Sequence, residues 1–479
     1  RIRWARQAWM PQQLRKKGCS SKMSMQEVSL RRKRGECAEC SYGGNISYFP
    51  IFCYSGREKQ PLSFELSLNI EKIMKILLIH KRHFLEGGAE RAYLEMADVL
   101  VRAGHEVAFF SMKHPKNFPT YWEKYFVDTV DYQDETMNFS QKVRALKNIF
   151  WNRQAEHNME RLLSEFKPDV AHVHNIFHQI SPSVFRPLKK HSIPIVMTLH
   201  DYKLISPNYY LFSNGSIWDP KESVSWQCVK DRCVKDSMLK SLACVLERMF
   251  HQTLDAYGAV HVFLSPSHFL IKKFREYRFS KDIQYLSNPL IPFPDDYSSL
   301  SLDNNAPFVF IGRLSSEKGV ETLIRAVALM EKKTTVQIVG DGPDRARLQE
   351  LAIALGVESS VKFSGYLSGG ELEEMRKGAC ALIVPSLWYE NMPYSLVEAL
   401  GRGKVVIGAR RGGITERIKD GENGFLFDPT SPEDLAQKMI LAQHASRQRM
   451  GNAARKSVDD LREDIFLEKL LDFYRQAVG

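Results

Sequence analysis

Met74-Lys75-Ile76-Leu77-Leu78-Ile79-His80, a short loop, then Gly87-Gly88-Ala89-Glu90-Arg91: this stretch decides the fold. The apolar run predicts a strand and the glycines a close turn. The residues after them predict a helix over 88–103, with Ala89, Ala97, Leu100 and Val101 towards a core and Gly104 at its end. The unit then recurs. Strands are expected at 106–110, 170–174, 193–199 and 260–264, with a helical segment over 141–166. Turn formers and prolines fill 287–307, in Ser287-Asn288-Pro289 and Pro292-Phe293-Pro294-Asp295-Asp296, and read as a linker. A second series follows, with strands at 308–311, 336–339, 361–363, 381–384 and 404–408 and helices at 319–331 and 344–355. Alternating strands and helices predict parallel sheets covered by helices. The class is α/β: two Rossmann-like βαβ domains, 74–290 and 305–462, facing a cleft. A last helix in 463–479 is expected to pack back across them. Ligands in such sheets sit beyond the carboxyl ends of the strands, so motifs directly after strands matter most.

Composition agrees with two globular domains: 479 residues, 44% hydrophobic and 26% charged. The net charge of +11 is unevenly placed. Residues 1–40 hold eleven Arg or Lys against three Asp or Glu, 41–73 are balanced, and everything after carries only +3. The leader opens on Arg1, holds Cys19, Cys37, Cys40 and Cys53, and shows no sustained apolar period. Met74 reads as the natural start, and 1–73 as upstream translation or a disordered extension. No run of eighteen apolar residues occurs, which argues against a spanning helix. Eight scattered cysteines fit a reducing cytoplasm better than a disulfide framework.

The strongest chemical signal is Glu390-Asn391-Met392-Pro393-Tyr394-Ser395-Leu396-Val397-Glu398. Glu390 lies in a loop after a strand, and Glu398 about one turn into a helix starting near Tyr394 or Ser395. The amides at that start, through Ser395, Leu396 and Val397, can receive a phosphate or sugar oxygen. The two carboxylates can accept from vicinal hydroxyls, as a sugar or ribose offers. A second motif, Gly312-Arg313-Leu314-Ser315-Ser316-Glu317-Lys318-Gly319, also follows a strand. Arg313 and Lys318 can supply the charge a diphosphate needs without a metal. Val339-Gly340-Asp341-Gly342-Pro343 reads as a strand-to-helix turn open to close backbone approach. Gly87 and Gly88 likewise let a backbone reach a phosphate. Without Gly-x-Gly-x-x-Gly, a dinucleotide oxidoreductase is disfavoured.

The frame around Glu390 and Glu398 resembles the signature of glycosyltransferase family 4, the retaining group 1 transferases, over about 74–475. The resemblance implies the GT-B architecture and a hexosyltransferase working on a nucleotide-diphosphate sugar without a cofactor or metal. It puts Glu390 near the donor sugar, Glu398 on the ribose and Arg313 and Lys318 on the diphosphate. Gly342 falls near the base, with Gly87 and Gly88 facing the diphosphate across the cleft and His200 on the transferred sugar. Retention, with a donor phosphate oxygen taking the acceptor proton, is implied too. The donor would be UDP- or GDP-linked and the acceptor a saccharide or lipid-linked saccharide, in bacterial surface polysaccharide or glycolipid assembly.

Other features receive plainer readings. His172 and His174 share one strand face and His200 ends another, but no Asp-x-Asp occurs and no carboxylate stands at ligand spacing. Hydrogen bonding is expected of His174 and His200 and packing of His172, with His174 and Asp201 towards the acceptor. The 200–250 region resembles a cysteine-rich insertion of a bacterial subgroup, but Ser206 and Trp218-Asp219-Pro220 stand where more cysteines are expected, which disfavours a metal or disulfide role for Cys228 and Cys233. Residues 142–151, Lys-Val-Arg-Ala-Leu-Lys-Asn-Ile-Phe-Trp, fit either a packed amphipathic helix or a peripheral contact at the inner face of the membrane. Two other functions compete: a nucleotide-sugar epimerase on the same fold, and a nucleic-acid binder acting through the leader. Against the latter, the body is nearly neutral and the leader holds no recognised module.

Overall fold

The computed structural model describes residues 73–130, 138–221, 224–291, 306–330 and 334–479. The leader through residue 72, and residues 292–305 of the expected linker, lie outside the described residues.

Two six-stranded parallel sheets organise the chain. The first comprises β1 (Lys75–Ile79), β2 (Glu106–Phe110), β3 (Val170–Val173), β4 (Ile195–Thr198), β7 (Val262–Ser265) and β8 (Ile283–Tyr285), in the order β2-β1-β3-β4-β7-β8. Strands β5 (Phe212–Ser213) and β6 (Ser216–Ile217) form a separate antiparallel pair. The second sheet comprises β9 (Phe308–Ile311), β10 (Val336–Val339), β11 (Val361–Gly365), β12 (Ala381–Val384), β13 (Val405–Ala409) and β14 (Gly424–Phe427), in the order β11-β10-β9-β12-β13-β14. Chain order reverses between β1 and β3 in one sheet and between β9 and β12 in the other. Crevices open at such reversals. The loops carrying Gly87, His174, Lys318 and Glu390 all follow these four strands.

Helix α1 (Gly88–Arg102) follows β1 and buries Tyr93, Leu94, Ala97 and Leu100. The expected helical segment over 141–166 divides into α2 (Phe139–Phe150) and α3 (Arg153–Glu165). The cause is Asn152: its side-chain oxygen accepts from the Ala155 amide at 3.1 Å and starts α3, while its amide donates to the Gln179 carbonyl at 2.6 Å. The stretch 142–151 lies largely in α2; Leu146 and Lys147 are exposed, and the side chains of Lys142 and Arg144 lie outside the described residues.

Helix α4 (Val224–Lys230) packs beside α5 (Met238–Thr253). Cys228 and Cys233 are bonded in a disulfide at the end of α4, with their Cα atoms 4.9 Å apart. This corrects the reading that disfavoured a disulfide there: the turn after α4 doubles back and buries both sulfurs together. Asp219, in place of a further cysteine ligand, accepts from Lys273 and from the Tyr277 hydroxyl.

The final helix, α6 (Glu463–Val478), follows the second sheet yet supplies Phe466, Leu470, Leu471 and Tyr474 to the core of the first, among Ile76, Leu78, Tyr93 and Leu100. Tyr474 shares a hydrogen bond with His172 at 2.8 Å, and the other His172 nitrogen meets Thr198 at 2.7 Å. His172 is thus a fully satisfied polar group inside the core rather than packing alone. Among the described residues no helix is long and apolar enough to cross a membrane.

Candidate active site

Loops at the carboxyl edge of the second sheet are pressed together through glycines. The loop after β9 turns through Ser316–Lys318 and ends on Gly319, whose φ is 68°. A Cβ on Gly319 would stand 1.9 Å from the Pro385 carbonyl oxygen, so only glycine lets this loop lie against the end of β12. The result is a direct pairing. Lys318 Nζ reaches Glu390 Oε1 at 2.7 Å, and Ser386 Oγ donates to the same oxygen at 2.9 Å. The Trp388 ring stands 5.1 Å from the ammonium. The turn at 339–343 lies on the loop after β9 in the same way: a Cβ on Gly342 would stand 2.2 Å from the Leu314 carbonyl oxygen. On the far side, Gly413 donates its amide to the Glu390 carbonyl at 2.7 Å.

Glu398 lies in α7 (Tyr394–Gly401), whose N-cap, Pro393, offers no capping side chain. Its carboxylate is nearly buried and both oxygens are engaged. Arg376 donates to Oε2, and Arg91 Nη1 stands 2.9 Å from Oε1. Arg91 comes from α1, across the cleft. It also pairs with Glu95 at 2.7 Å and lies over the Tyr394 ring, 4.1 Å from its centroid. Gly88 backs this contact, its Cβ position lying 3.8 Å from Tyr394 Cδ2.

The opposite wall holds histidines. His200 Nε2 meets His174 Nδ1 at 2.8 Å. His174 is fully buried and stacked between His172 and His200. Burial pushes His200 down to about 3, keeps His174 far below the ordinary imidazole range and raises Asp201 to about 6. Asn391 joins the two walls: its amide donates to the His200 carbonyl at 2.6 Å, and its oxygen accepts from the Tyr202 hydroxyl at 3.1 Å. The residue after Glu390 therefore clamps the loop of His200.

Of the four charged groups singled out in the sequence, the structure joins Lys318 to Glu390 and brings Glu398 to the cleft through Arg91. Arg313 is exposed on the loop of Lys318 and forms no ion pair among the described residues. The Leu396 and Val397 side chains are fully buried, so only their backbone can face a ligand; Ser395 is partly exposed. His174 reaches the cleft only through His200. A separate concavity of about 680 Å³, lined by His268, Lys272, Tyr285 and Glu416 among others, contains none of these groups. One trio, His178, Cys244 and Glu247, places a ligand atom from each within 4.8 Å of the others. Glu247 there is already engaged by Lys203, whose ammonium lies 2.6 Å from its carboxylate.

Comparison with known proteins agrees with this geometry. Residues 86–290 match Glycosyltransferase Family 4, and residues 296–457 match Glycosyl transferases group 1. The chain is a family 4, group 1 glycosyltransferase. This glycosyltransferase is 26% identical over 72% of its length to an uncharacterized 42.6 kDa protein in the cps region of Klebsiella pneumoniae, covering 87% of it. It is 30% identical to the lipopolysaccharide core biosynthesis glycosyltransferase LpsE of Rhizobium meliloti, over 38% of this chain and 53% of that one. Its fold matches HepE of Anabaena, solved with UDP and glucose, with a TM-score of 0.58 and 17% identity, over 84% of this chain and all of that one. The two sheets facing a cleft are the GT-B architecture.

Sequence reading assigned no role to Arg91, Arg376, Asn391 or Tyr202. Arg91 carried a readable signal: a cation four residues into a helix opposes the positive end of the helix dipole and asks for an anionic partner.

Proposed function

We propose that this glycosyltransferase moves a hexosyl group from a UDP- or GDP-linked sugar to a saccharide or lipid-linked acceptor, retaining the anomeric configuration and using no metal. The observation that carries this reading is the Lys318–Glu390 pair, held opposite His200 by Asn391. Lys318, with Arg313 beside it, compensates the diphosphate charge that grows as the glycosidic bond breaks. Glu390 and His200 orient sugar hydroxyls, and Glu398 takes the ribose. Gly87 and Gly88 close on the phosphates and exclude water. His200 is neutral and its Nε2 is engaged by His174, which suits orientation rather than proton transfer. A phosphate oxygen of the leaving diphosphate then accepts the acceptor proton.

The names of the relatives support the setting. HepE is solved with UDP and glucose, LpsE is named for lipopolysaccharide core synthesis, and the Klebsiella protein lies in a cps region. The reading places the enzyme in the cytoplasm, at the inner face of the membrane. A thermal-shift screen of UDP- and GDP-sugars tests it. The true donor at a hundred times its Kd should stabilise by about 2.7 kcal/mol. Product stereochemistry by NMR and activity after chelation then test retention and metal independence. No shift with any donor, or conversion of donor alone to an epimer, would overturn the assignment.

A further inference from the structure

Helix α5 is amphipathic the wrong way round for a soluble protein. Its buried face is largely polar. Ser241 Oγ accepts from the Val234 amide, Glu247 pairs with Lys203, and His251 Nε2 meets the Phe150 carbonyl at 2.8 Å. Its outer face is apolar: Leu239, Leu242, Leu246, Met249 and Phe250 are all exposed, Leu239 by 78%. Positions 239, 242, 246 and 249 fall on one stripe. Trp226 of α4, 73% exposed, and Leu146 of α2 add to the apolar surface, and Phe150 of α2 meets the Phe250 ring with centroids 5.6 Å apart. Exposed apolar side chains gathered on one helix face mark an interaction surface.

Charge selects the partner. The one carboxylate on α5, Glu247, is buried and paired. Lys230, Arg232 and Lys235, in the segment leading into α5, and Lys240 on α5 itself are exposed, while Asp231 is held by Trp218 and Gln227. Asp236 is the only exposed acidic residue described within 224–253. A second copy across a two-fold axis would set these cations against their equals. A bilayer with anionic headgroups supplies both an apolar layer and countercharge, and suits an exposed tryptophan. We infer that the outer face of α5, with Trp226 and Leu146, docks on an anionic lipid surface. Through Glu247 the same helix braces Lys203, three residues after His200. On the proposed function, docking would thus set the acceptor wall beside a lipid-linked acceptor.

Flotation of the full chain with vesicles tests this. Wild type should float with phosphatidylcholine–phosphatidylglycerol vesicles and much less with phosphatidylcholine alone. Leu242→Glu with Leu246→Glu should weaken flotation by about tenfold or more. Lys240→Ala should weaken it about fivefold on anionic vesicles only. Unchanged donor binding by thermal shift certifies that the variants fold. Flotation of the double variant equal to wild type would assign lipid binding elsewhere, such as the basic leader, and overturn the inference. So would wild type that stays unbound, or a wild-type dimer in light scattering that the double variant dissociates. If no UDP- or GDP-sugar shifted the melting temperature of wild type while flotation persisted, only the proposed function would fall.

Discussion

Replacing Arg91 by glutamine should tighten the binding of a nucleoside diphosphate. Arg91 Nη1 lies 2.9 Å from Glu398 Oε1, with the two side chains 24% and 9% exposed. The other carboxylate oxygen accepts from Arg376, and a ribose that takes the Oε1 lone pairs with its vicinal hydroxyls displaces Arg91. Once displaced, Arg91 keeps Glu95 and the Tyr394 ring, so it is not left uncompensated. The cost is therefore that of one partly screened pair, about 1 kcal/mol at the upper end of the exposed range. Arg91→Gln removes that cost from binding, and Kd for UDP or GDP should fall about fivefold. Titration calorimetry with the free nucleotides measures it without turnover. Glu398→Gln should act in the opposite sense, because the ribose loses its acceptor. A fivefold weakening in Arg91→Gln would show that the guanidinium itself holds phosphate. An unchanged Kd would show that the pair does not form in solution; either result refutes the reasoning.

Lys318→Ala leaves the nearly buried Glu390 carboxylate with Ser386 as its remaining partner, and should lower kcat/KM by at least about tenfold, or 1.4 kcal/mol; a smaller loss removes Lys318 from the diphosphate. Stability should fall on acidification. Burial lowers His80, His83 and His178 to about 4, and His172 and His200 to about 3. The unfolded chain takes up these protons from about pH 6.5 downwards while the folded one does not, which costs about 1.4 kcal/mol per histidine at pH 5.5. Asp201 and Glu95, raised to about 6 and 7, act in the opposite direction but offset less than half of this. A melting temperature unchanged between pH 7.5 and 5.5 would contradict the burial. Replacing Cys228 and Cys233 together by serine opens a short loop and should cost about 2 kcal/mol, read from urea unfolding; no loss would mean the pair is reduced in solution.

What the sequence made legible was local. Strand β1 and the Gly87-Gly88 turn lie in one segment, and so does the frame from Glu390 to Glu398, so periodicity and spacing expose both. The Lys318–Glu390 pairing was foreseeable as convergence, because both follow strands of one sheet. The partners of Glu398 were not, since Arg376 stands on another helix of the same domain and Arg91 on a helix across the cleft, both far from it in sequence. The break at Asn152 was available to a stricter reading, asparagine being a strong helix starter. The disulfide was not, because a spacing of five decides nothing until the turn buries both sulfurs. The inverted polarity of α5 escaped for the same reason: the pattern shows two faces but not which one meets the core.

Tyr474 reaches back to His172 and to Met96, 378 positions earlier in the chain. On the ribosome the first sheet therefore cannot finish its interior until almost everything after it has been made. Closing so long a loop is entropically slow, and until then Ile76, Leu78 and Leu100 keep part of their apolar surface uncovered. The nascent first half should accordingly be a chaperone client, and a ribosome stalled before residue 463 should hold it in a protease-sensitive state.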